Sequence, residues 1–156
     1  MMTRLTGFPD LLAYLEEVKL PHRADPVAQT VEIPTQAPPL VGRLVVRWEK
    51  RLPYLQLIHP MLQAIPVARR TELEHAICLV NNAVPLPGFG LEYERSFLYL
   101  RLCIPLAEEG LSVSVFRNMV SQVIHVARQH LHAFQRVVAG APAEQILDPV
   151  PPPVVD

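Results

Sequence analysis

The sequence predicts an α+β fold, an antiparallel sheet packed with three helices in the order α-β-β-β-α-β-β-α. Three observations predict it. Three segments repeat apolar residues at spacings of three and four, the period that gathers them on one helix face. Between these lie alternating patterns joined by short turns, which makes neighbouring strands antiparallel and gives the helices a sheet to pack on. The last helical segment, Ser112 to Val138, has the widest apolar face of all. Phe116, Val120, Ile124, Ala127, Leu131, Phe134 and Val138 form one stripe, and Met119, Val123, Val126, Ala133 and Val137 form a second beside it.

Taken in order, Phe8, Leu11, Leu12, Leu15 and Val18 give a first helix over Pro9 to Lys19, with Pro9 in its first turn and Pro21 beyond its end. Leu20 to Pro26, bracketed by prolines, reads as a connector. Val27 to Ile33 alternates as a strand that Pro34 closes, and Pro34, Pro38 and Pro39 call for an edge position or a bend. Leu44, Val46 and Trp48 alternate with Arg43, Val45, Arg47 and Glu49, a strand with one apolar face. Lys50 to Pro53 turns the chain, and Tyr54 to His59 returns as the next strand, with Leu55 and Leu57 on one side.

Pro66 opens a helix that reaches Val84, with Leu73, Ala76, Ile77, Val80 and Val84 inward, and Asn81, Asn82, Pro85, Pro87 and Gly88 end it. Phe89 to Glu94 and Phe97 to Ile104 follow as strands. The second is apolar on both sides, the pattern of a central strand covered on both faces. Ser112 is the N-cap of the last helix. Residues 1–140 thus form a single domain. The stretch 141–156 holds five prolines and reads as an extended or disordered tail.

Composition bounds the function. Half of the 156 residues are apolar, and 14 basic side chains face 15 acidic ones, so there is no electrostatic case for nucleic acid or an anionic membrane. No uncharged apolar run approaches the roughly 18 residues of a spanning helix. Arg4, Asp10, Glu16 and Glu17 interrupt any export signal, so a cytoplasmic setting is expected, with Cys78 and Cys103 as buried free thiols.

The residues give no catalytic, cofactor or metal site. His125, His130 and His132 lack the i, i+4 pair and third ligand of a helical zinc site, and no phosphate loop or nucleophile elbow is present. A small-molecule or enzymatic pocket between sheet and last helix, using His75, Cys78 or His125, is the alternative reading. It requires polar groups that converge in a cavity. Arg43, Arg47, Lys50 and Arg51 form the one local basic cluster, either a solvated sheet face or a charged rim around a groove that accepts a peptide.

The stretch ELEHAICLVNNAVPLPGFGLEYERSFLYLRLCIPL, followed by GLSVSVFRNMV, and the order of elements around it resemble the type III secretion chaperone-like fold. The resemblance is to the YbjN branch of bacterial proteins in particular, and it spans residues 8 to 138. It implies a non-enzymatic homodimer that holds segments of a partner protein or peptide in apolar grooves, possible linings being Trp48, Leu55, Leu57, Phe89, Leu91 and Tyr93. The second stripe of the last helix, with Met119, Val123, Val126 and Val137, is the expected dimer interface. Dedicated secretion chaperones are markedly acidic and this chain is nearly neutral, which favours the regulator-like branch.

Overall fold

Alternating apolar residues build the sheet, and the wide stripe of the last helix covers it. The computed structural model describes residues 1–148. In chain order these form β1 (Arg4–Leu5), α1 (Phe8–Glu17), β2 (Arg23–Asp25), β3 (Thr30–Ala37), β4 (Leu40–Trp48) and β5 (Tyr54–Leu62). A 3-10 turn (Val67–Arg69) then leads into α2 (Arg70–Ala83), followed by β6 (Phe89–Glu92), β7 (Phe97–Pro105), β8 (Leu111–Ser112), α3 (Val113–Val138) and a closing 3-10 turn (Ala143–Leu147). The three helices and the hairpin runs expected from the sequence are all present, and the class is α+β.

Six strands pair antiparallel in the order β2-β3-β4-β5-β7-β6. Their register aligns one apolar face. Val31 stands opposite Val46, Val46 opposite Leu57, and Leu57 opposite Leu102, while Phe89 stands opposite Leu100. α3 lies across this face, and α2 packs against α3 and β6. Leu44, Val46, Leu55, Leu57, Leu98 and Phe134 are all fully buried between the layers. Each such side chain contributes about 1.5–3 kcal/mol over its exposed state.

Several boundaries differ from the sequence expectation, each for a physical reason. β2 occupies the connector between Pro21 and Pro26, because only three residues are needed to pair with Thr30–Glu32. Pro34 does not end β3. Beyond Glu32 that strand has no partner on its outer side, so a missing N–H there breaks no ladder. Pro60 does not end β5 either, since a register shift between Pro60 and Leu62 absorbs it. β1 and β8 are two residues each and lie below any periodic signal. They pair because Gly110, at φ +81°, lets the chain pass Leu5 so closely that a Cβ would stand 2.3 Å from its carbonyl oxygen.

Nor is β7 covered on both faces. Leu98, Leu100 and Ile104 face the helices, whereas Arg101, Cys103 and Pro105 are exposed on the other side. The tail expected after residue 140 is also partly structured. Ala143 and Ile146 are buried against α2 and α3. Arg69 donates from Nη2 to the carbonyls of Val137 at 2.6 Å and Ala141 at 2.8 Å, and the Glu72 carboxylate accepts the Ala143 N–H at 2.5 Å. This guanidinium caps the negative end of α3. Residues 149–156, the rest of the expected tail, lie outside the described residues.

Candidate partner-binding surfaces

The six residues expected to line a groove divide by sheet face. Leu55 and Leu57 are fully buried, and Phe89 packs its ring at 5.0 Å from Phe134 and 5.4 Å from His130. These three belong to the chain's own core, a correction to their reading as accessible lining. Alternation found an apolar face, but that face is the one α3 covers. Trp48, at the end of β4 opposite Leu55, and Leu91, on the edge strand β6, are half-buried. Tyr93 is exposed, donates its hydroxyl hydrogen bond to Glu74 Oε1 and lies under the Arg70 guanidinium. The six do not form one groove.

The expected dimer stripe is corrected in the same way. Val123 and Val137 are 1% exposed, Val126 and Ala133 are buried, and Met119 alone of that stripe is half-buried. One sheet face does not consume the whole apolar width of α3, but α2 and the closing turn pack on its flank and consume the remainder. What stays at the margin is the start of the first stripe. Phe116 and Val120 join Tyr14, Val18, Leu20 and Ile33 around a cleft of about 390 Å³ between α1, β3 and α3. Tyr14 and Phe116 meet edge to face there, 6.1 Å apart, while Val18 stays 48% exposed.

Among the described residues the outer face of the sheet carries no helix. Its central outward residues are Val45, Ile58, Pro60 and Phe97, which floor an open trough of about 570 Å³ flanked by Arg47 and Arg95. A second section of about 400 Å³ shares Val45, Pro60 and Gln63 and runs on to Val41 and Arg43. Alternation along β4 puts Arg43 and Arg47 on one strand face. It misses that Ile58 and Phe97 share that face, because only the strand order brings β4, β5 and β7 side by side.

Titratable groups do not converge in the interior. His75, Cys78 and His125 are exposed, and His75 lies 3.8 Å from Glu144. Cys103 is exposed as well, so both thiols expected to be buried lie at the surface. The alternation that made β7 look doubly covered hid the exposure of Cys103, and Cys78 falls just off the inward arc of α2. Among the described residues no group of three or more His, Cys, Asp or Glu side chains is placed to hold a metal ion. No helix among them is long and apolar enough to cross a membrane.

Among the described residues the buried polar side chains in the core are Thr35 and His59. His59 Nδ1 lies 2.7 Å from the Pro60 carbonyl and Nε2 lies 3.1 Å from Thr35 Oγ1. A carbonyl only accepts, so Nδ1 carries the proton and Nε2 accepts from the Thr35 hydroxyl. Burial pushes the imidazole pKa down, partly opposed by the Pro60 bond, so the ring is held neutral. This pair satisfies the core and presents nothing to a substrate.

No family model and no curated protein matches the chain. Solved structures do. The chain is similar to YbjN from E. coli, for which a role in transcription regulation has been suggested, with a TM-score of 0.65 at 10% identity over 86% of this chain and 96% of that one. It is also similar to a chain of the HopA1–SchA chaperone–effector complex, with a TM-score of 0.54 at 19% identity over 80% of this chain and 94% of that one. The chain therefore has the YbjN-like, type III secretion chaperone-like fold.

Proposed function

We propose that this chain is a non-enzymatic protein-interaction domain that holds a segment of a partner polypeptide on apolar surface left by its one-sided packing, in a regulatory or chaperoning role. One observation carries this reading. Among the described residues all three helices lie on one side of the sheet, and none covers Val45, Ile58, Pro60 and Phe97 on the other. The occurrence of the same fold in a chaperone–effector complex supports it. Three or four anchoring side chains, each contributing about 1.5–3 kcal/mol, suffice for micromolar affinity after association costs. Of the linings expected from the sequence, Trp48, Leu91 and Tyr93 retain accessible surface and belong to the proposal.

The homodimer and the cytoplasmic setting remain parts of it, the dimer on a surface other than the second stripe. Light scattering at twice the 17.5 kDa chain mass supports the dimer, and a concentration-independent mass of one chain removes it. The binding reading is tested with wild-type protein and two folded variants, Ile58→Asp on the outer sheet face and Val18→Asp in the α1–α3 cleft. Each is immobilised against extract of the source cells. A protein retained by wild type and lost with either variant supports the reading. Equal retention by all three, or none by any, sinks it.

A further inference from the structure

The outer face of the sheet also says what kind of segment it takes. Its floor comes from neighbouring strands. Val45 of β4 stands opposite Ile58 of β5, and Pro60 of β5 opposite Tyr99 of β7, next to Phe97. Arg47 follows Val45 on the same face, opposite Gln56, and Arg95 stands in the turn before β7. Around the trough on this side of the sheet, four arginines, Arg43, Arg47, Arg95 and Arg101, meet three glutamates, Glu32, Glu49 and Glu92, an excess of positive charge. Glu32 pairs with Arg43 at 2.7 Å, Glu49 accepts from Gln56 Nε2 at 2.6 Å, and Glu92 accepts the N–H groups of Glu94 and Arg95. Arg47 and Arg95 have no ion pair or side-chain hydrogen bond among the described residues. The trough is thus apolar along its floor and bounded by two free guanidinium groups, in a chain of net charge -1.

A guanidinium fork matches a carboxylate bidentately, and an apolar floor wants apolar side chains between such contacts. A nucleic acid backbone fits less well, because its phosphates and sugars bring no apolar side chains to a floor of Val45, Ile58, Pro60 and Phe97. A small anion would leave Val45, Ile58 and Phe97 uncovered, and the trough continues past Pro60 into a second section, which calls for an extended chain. We propose that the outer sheet face binds an extended acidic peptide segment of a partner protein, with Arg47 and Arg95 taking its carboxylates and Val45, Ile58 and Phe97 its apolar side chains. This rests on the interaction reading above and adds the chemistry of the segment.

Selection from a random peptide display library on immobilised full-length protein tests it, with the winning peptides synthesised and measured by fluorescence anisotropy. The expected winners alternate Asp or Glu with large apolar residues. Their affinity falls by at least about tenfold in the Arg47→Glu/Arg95→Glu variant and less in Arg47→Gln/Arg95→Gln. It also weakens with added salt. Both arginines are exposed, and thermal unfolding confirms that each variant keeps its fold. Winners without acidic enrichment, winners bound equally by the charge-reversed variant, or no winners at all overturn the inference. If binding survives charge reversal but is lost in Val18→Asp, the inference falls while the interaction reading stands on the cleft. Labelled polyuridine binding more tightly than the acidic peptides, and losing affinity in the same variants, reassigns the face to nucleic acid and overturns it too.

Discussion

His59 is the residue on which the chemistry of the core turns. Neutral in the fold and with its ordinary pKa of 6.5 when unfolded, it makes the unfolded chain bind more protons below that value. Its contribution to stability is complete above about pH 6.5 and is lost as pH falls through the folded pKa. Urea denaturation should therefore give lower stability at about pH 5 than at about pH 7, and His59→Gln should flatten that slope. A slope unchanged by the substitution would mean that another group carries it. Asp10 acts lower on the scale. Its bonds from the Thr6 hydroxyl and N–H hold its carboxyl below 3.8, so its part is lost only in stronger acid. The exposed cysteines give a second residue-scale expectation. Native protein at neutral pH should be alkylated at both Cys78 and Cys103 without denaturant, read by intact mass; a thiol that reacts only after unfolding contradicts the placement.

At the scale of elements, α3 shows how far periodicity reaches. Its stripes follow from 3.6 residues per turn, and the buried set (Phe116, Val123, Val126, Ala127, Leu131, Ala133, Phe134, Val137) mixes both. Spacing located the apolar arc; it held no information on whether the arc meets the sheet, a neighbouring helix or another chain. Val123→Asp should abolish cooperative unfolding followed by circular dichroism, because it buries an unpaired charge. Met119→Asp, at the half-buried margin, should stay folded. Two folded variants would return the second stripe to the surface. Asn81 makes the converse point. Its side chain accepts from the N–H groups of Gly88 and Phe89 and donates to the Phe89 carbonyl, so a residue read as a helix stop builds the link into β6.

For the whole molecule, the closing turn joins the two ends of the fold, since Ile146 packs on α2 and α3 and Arg69 ties α3 to the chain that follows it. Ile146→Ala should cost about 2–4 kcal/mol in chemical denaturation. A loss below about 0.5 kcal/mol would mean that this segment behaves as the tail its prolines predicted.

The sequence by itself determined the α+β class, the three helices, the hairpins and the apolar residues of the core, because periods of 3.6 and 2 are local and survive without knowledge of neighbours. It also carried the resemblance to the chaperone-like fold. Only the tertiary structure decided which face of the sheet is left open. That depends on strand order and on where α3 lies, contacts between residues far apart in the chain. Leu55 and Ile58, three positions apart in one strand, are assigned by it to the core and to the surface.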